Sequence, residues 1–155
     1  MKTDQFMQQA IQMALESVRS GGGPFAALVV RNGTVLGAGS NRVIASNDPT
    51  AHAEVVAIRA ACAALGDFQL KDCDIYTTSE PCPMCLGAIY WARPRRVFFG
   101  ANAGDAAAAG FDDAFIYEQI KAPFGQRKIP FIPLMREEAL KCFQAWLAKP
   151  DRASY

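Results

Sequence analysis

A chain of 155 residues is the size of one domain and long enough to bury a sizeable core. With 51% apolar and 20% charged residues it lies in the ordinary globular range, which argues against disorder, collagen and coiled coil. Sixteen Lys and Arg against fifteen Asp and Glu leave a formal net charge of +1, a small surplus for a protein that grips a phosphate backbone.

Phe6, Ala10, Ala14 and Val18 recur every four residues and predict an amphipathic helix that stops before Gly21-Gly22-Gly23. Two strands follow, Phe25 to Val30 and Thr34 to Ala38, around an Asn32-Gly33 hairpin signal. Ala51 to Leu65 reads as a helix closed by Gly66, Cys73 to Thr78 as a strand, Pro83 to Ala92 as a helix and Arg96 to Gly100 as a strand. A less regular stretch holds Ala106–Ala109. It leads to a short helix around Asp113–Ile120, a last strand near Ile129–Met135 and a helix from Glu137 to Ala148. No repeat, low-complexity linker or composition break marks a second domain, so residues 1–155 read as one domain. The expected fold class is α/β, a mixed five-stranded sheet with helices on both faces in three layers.

No apolar run reaches the roughly 18 residues that cross a bilayer, so no membrane partner is expected. Met1-Lys2-Thr3-Asp4-Gln5 has no apolar core or cleavage site of a signal peptide. Five cysteines, an odd number, argue against a disulfide framework. The expectation is a reduced, cytoplasmic protein.

Two fragments carry the chemistry: Thr50-Ala51-His52-Ala53-Glu54 and Glu80-Pro81-Cys82-Pro83-Met84-Cys85. Cys82 and Cys85, with two residues between them at a strand-to-helix junction, suit one tetrahedral zinc, with helix-start N–H groups stabilising the sulfurs. The same spacing also suits a redox pair. His52 is the chain's only histidine and hence its only imidazole ligand. Three protein ligands leave a fourth zinc position for water, as in catalytic sites. Cys62, Cys73 and Cys142 form no second knuckle and read as small hydrophobes or free thiols. Zinc with two thiolates and a neutral imidazole has a formal charge near zero and acidifies water weakly, so it needs a base nearby. Glu54, two residues after His52, supplies one. Alone it would read as a glutamate favoured by a helix N-terminus.

His-x-Glu followed by Pro-Cys-x-x-Cys is the pattern of zinc-dependent nucleobase deaminases. The sequence resembles the cytidine deaminase superfamily over nearly its whole length. Within that superfamily it resembles the bacterial guanine deaminases. The residues that carry the resemblance are residues 46–54, residues 81–93, Ala109-Gly110-Phe111-Asp112-Asp113-Ala114-Phe115-Ile116-Tyr117, and the chain end Phe143-Gln144-Ala145-Trp146 with Tyr155. The first of these is shared with transfer-RNA adenosine deaminases.

The resemblance implies one zinc per chain on His52, Cys82 and Cys85, a purine base as substrate and Glu54 as proton shuttle. It also implies Asp113 as the carboxylate of a second proton transfer; taken alone, Asp112-Asp113 reads as a helix cap. Asn41 offers both a donor and an acceptor to a purine edge. Phe25 either stacks on the base or fills the core. Trp91 is either a pocket wall or a core or interface residue. Tyr155 by itself reads as a frayed terminus, but in similar deaminases the C-terminal segment, here about 137–155, closes the site and in guanine deaminases crosses to the partner of a homodimer. Two other readings compete. A transfer-RNA adenosine deaminase would need a basic surface, for which Arg93, Arg95 and Arg96 are the densest cluster. A zinc-stabilised interaction module without turnover would need a fourth protein ligand and no role for Glu54.

Overall fold

Asn32 and Gly33 take φ values of 50° and 78°, as a two-residue type I′ turn requires, and join β1 (Ala26–Arg31) to β2 (Thr34–Ser40). This computed structural model describes residues 3–155. β1 pairs antiparallel with β2 on one side and with β3 (Asp74–Ser79) on the other. β3 pairs parallel with β4 (Arg96–Ala101), giving the order β2-β1-β3-β4.

Alternation along β1 divides the core. Leu28 and Val30 pack with Tyr76 against Phe6 and Ala10 of α1 (Thr3–Arg19). Ala27 and Val29 pack with Ile75 against the opposite layer. There Ala53, Ala57 and Ala61 come from α3 (Ala53–Leu65), and Ile89 and Ala92 from α4 (Pro83–Ala92). A single helical turn, α2 (Val43–Ser46), precedes α3. The expected three layers are therefore present.

The alanine stripe of α3 lies directly on two glycines of β2. A Cβ added at Gly39 would come within 2.5 Å of Ala53 O and 2.7 Å of Ala57 N, and one at Gly37 within 2.6 Å of Ala61 N. Only a residue without a Cβ lets the helix backbone sit this close to the strand. That contact fixes the height of the α3 amino end above the sheet.

The chain divides into two compact units, one ending at Asp113 and one beginning at Ala114. The first closes with α5 (Ala103–Ala108), where Asn102 and Asp105 form a capping box. The second contains α6 (Ala114–Lys121), a 3₁₀ turn at Phe124–Gln126 and α7 (Arg136–Ala148). Within it the Arg127 guanidinium lies 4.7 Å from the Phe124 ring centre and 4.6 Å from that of Phe131.

One expectation is corrected. The sheet has four strands among the described residues, not five, because the segment near Ile129–Met135 forms no strand. Pro130 and Pro133 remove two N–H donors within four residues, and an interrupted row of donors does not hold a ladder.

Candidate active site

The site is built where two helices begin. His52 occupies the N-cap of α3, in extended conformation (φ −68°, ψ 154°), and Glu54 sits in that helix's first turn. Cys82 is the N-cap of α4 and Pro83 follows inside the helix, where its missing N–H leaves nothing unpaired. The Cys85 backbone N–H donates to Cys82 Sγ across 3.5 Å. His52 Nδ1 lies 3.5 Å from Cys82 Sγ and 3.6 Å from Cys85 Sγ. In a tetrahedral site with Zn–S about 2.3 Å and Zn–N about 2.0–2.1 Å, the N···S edge is about 3.6 Å. The three donors fit zinc, and all lie within 4.8 Å of one another.

Glu54 is buried beside them. Thr77 Oγ1 donates to its Oε1 at 3.0 Å and Cys85 Sγ to its Oε2 at 3.3 Å. Burial raises the proton affinity of the Glu54 carboxyl, an effect that its hydrogen bonds only partly offset. The hydrogen bond with Cys82 raises that of His52. The interaction with Cys85 lowers the pKa of Cys82, and that of Cys85 is pushed up in return. Asp113 is shifted upward, first by burial and then by the nearby Cys82 charge.

His52, Glu54 and Cys82 open into a cavity of about 640 Å³ that Phe25, Asn41 and Asp113 also line. Asn41 Oδ1 accepts from the Val43 N–H at 3.2 Å. The Phe25 ring meets Phe111 edge-on, with centres 4.8 Å apart and planes at 84°. Trp91 does not line this cavity; it lies 62% exposed on α4. Tyr155 belongs to the second unit, where its ring meets Trp146 edge-on at 6.2 Å.

Sequence reasoning overlooks three residues here. Phe111 stands in the fragment quoted for the resemblance but receives no role. Glu80 lines the cavity and its Oε2 accepts from the Ala103 N–H at 2.8 Å, tying the Cys82 loop to α5. Thr77 reaches Glu54 across 23 positions of sequence, so no local pattern announces it.

Comparison with known proteins adds four findings. The cytidine and deoxycytidylate deaminase zinc-binding region matches residues 1–101. Guanine deaminase of Bacillus subtilis (strain 168) is 53% identical over 156 residues, covering 100% of both chains. An X-ray structure of guanine deaminase from Bacillus subtilis superposes with a TM-score of 0.97 at 52% identity, covering 100% of this chain and 99% of that one. A tRNA-specific adenosine deaminase of Agrobacterium fabrum is 43% identical over 106 residues, 64% of this chain and 70% of the relative.

Proposed function

Because the chain belongs to the family of the cytidine and deoxycytidylate deaminase zinc-binding region, we propose that it hydrolyses guanine to xanthine and ammonia. The observation that carries this reading is full-length likeness: the guanine deaminase covers 100% of the chain, the adenosine deaminase only 64%. The cavity geometry supports it, with a metal-type donor set, a buried carboxylate and a polar amide facing one space.

Zinc would be held by His52 Nδ1, Cys82 Sγ and Cys85 Sγ and would supply Lewis-acid activation of water there. Glu54 takes a proton from the attacking water as its oxygen bonds to C2, and returns that proton to the adjacent ring nitrogen. Burial raises the carboxyl's proton affinity, which suits a group that must both take and give. Asp113 serves the second transfer, moving the proton of the new C2 hydroxyl to the departing amine, so that the C2–N bond breaks, ammonia leaves and the carbonyl forms. Asn41 has its Oδ1 engaged by Val43, so its amide nitrogen is the atom that donates to the base. Phe25, held edge-on by Phe111, stacks on the ring.

We further propose a cytoplasmic homodimer, consistent with five free cysteines. In it the segment 137–155, Tyr155 included, closes the site as in guanine deaminases. The exposed place of Trp91 favours its interface reading over a pocket wall. Among the described residues no helix is long and apolar enough to cross a membrane.

The test is ammonia release from guanine, guanosine, adenine, cytosine and a transfer-RNA anticodon stem-loop, run side by side on zinc-loaded protein. Guanine should react fastest. Preferential reaction of the stem-loop would overturn the reading in favour of a transfer-RNA adenosine deaminase.

A further inference from the structure

Thr77 carries a buried hydroxyl that this chemistry leaves without a task. It is 1% exposed on β3, and its backbone is paired on both sides, with Ala27 of β1 and Phe99 of β4. Its Oγ1 lies 3.0 Å from Glu54 Oε1 and 3.2 Å from the Ser79 carbonyl oxygen. The other side-chain donor to Glu54 is the Cys85 thiol, 3.3 Å from Oε2. The Thr77 hydroxyl is not among the three metal-type donors, His52, Cys82 and Cys85, so its bond to Glu54 does not compete with a metal.

We propose that Thr77 is a positioning residue for the proton shuttle, a side-chain donor that keeps Glu54 aimed into the cavity. The inference rests on the deaminase reading above. A strand residue paired on both sides gives the hydroxyl a fixed origin, which a loop serine would not. The second acceptor in reach, Ser79 O at 3.2 Å, lies on the same strand and further fixes the hydroxyl's place.

Two variants separate hydroxyl from methyl. T77V keeps the shape and loses the hydroxyl, whereas T77S keeps the hydroxyl and loses a buried methyl. Zinc per chain should equal wild type in both. T77V should lower kcat for guanine at least about tenfold with KM changed less than about threefold. T77S should restore kcat to within about threefold of wild type while lowering Tm. A merely structural role would make activity follow stability in both variants; that pattern, or T77V with kcat within about twofold of wild type, would overturn the proposal. A second measurement needs no turnover. In metal-free protein, the Tm shift caused by T77V should shrink by more than half when Glu54 is already changed by E54A. Equal shifts in the two backgrounds would overturn the pairing. If wild type leaves guanine untouched, the deaminase reading fails, and this metal-free cycle still decides the Thr77–Glu54 pairing.

Discussion

Gly39→Ala tests whether the close seat of α3 on β2 sets the metal geometry. The new Cβ would lie 2.5 Å from Ala53 O and 2.7 Å from Ala57 N, where ordinary contact begins at 3.4 Å, so helix and strand must part by 0.9 Å. Both obstructing atoms are backbone and cannot rotate away. Overpacking of this kind costs about 1–3 kcal/mol. At roughly 2–4 °C per kcal/mol for a chain of this length, Tm should fall by about 2–12 °C. The displacement is centred one residue after His52, whose Nδ1 stands 3.5 and 3.6 Å from the two sulfurs. Metal–ligand distances tolerate only about 0.2 Å. Zinc per chain, measured by elemental analysis after dialysis against a weak chelator, should therefore drop well below that of wild type. Gly87→Ala is the control, since its Cβ meets nothing within 4 Å inside α4; it should gain roughly 0.5–1 kcal/mol and keep its zinc. Full zinc and an unchanged Tm in G39A would refute the idea that this contact positions His52.

Glu54→Gln should retain zinc and fold while losing roughly 10²–10⁴-fold in turnover, and activity within about tenfold of wild type would assign the base elsewhere. Cys82→Ala or Cys85→Ala should lose zinc and activity together; full occupancy in either would remove that ligand. Asp74 is held down to about 2 chiefly by the Arg96 hydrogen bond, with Arg95 next. A carboxyl whose folded pKa is depressed adds stability above its unfolded pKa and loses it as pH falls through the folded one. The arginine side chains are 54% and 57% exposed, so screening reduces the shift to about 1 kcal/mol. In urea titrations the advantage of wild type over Asp74→Asn should shrink between pH 4 and pH 2; a constant gap would sink the assignment.

The parts of the fold that depend on neighbours in sequence are legible from sequence. Asn32-Gly33 demands a turn because two positive φ values in succession suit few other pairs, and Pro83 marks a helix start because its φ is already helical. The metal donors are legible for a similar reason: two cysteines one turn apart and a lone histidine leave few ways to build a site. What depends on tertiary placement is not legible. The Thr77–Glu54 bond exists only because the fold brings a β3 side chain within reach of the first turn of α3. Near Ile129–Met135 the apolar residues suggest a strand, but donors missing at Pro130 and Pro133 outweigh them. Around Ala106–Ala109, Asn102 and Asp105 at capping-box spacing foretell α5, a signal that the run of alanines overshadows.

The chain's two tryptophans fall one to each compact unit, Trp91 on α4 and Trp146 on α7. Each unit therefore carries its own fluorophore. With Trp146 changed to Phe, indole emission follows the helix that begins with the two thiols; with Trp91 changed to Phe, it follows the second unit alone. Superimposed melting curves from the two single-tryptophan proteins would mean that the units unfold as one cooperative body. Curves that part on chelation would mean that zinc braces the first unit independently of the second.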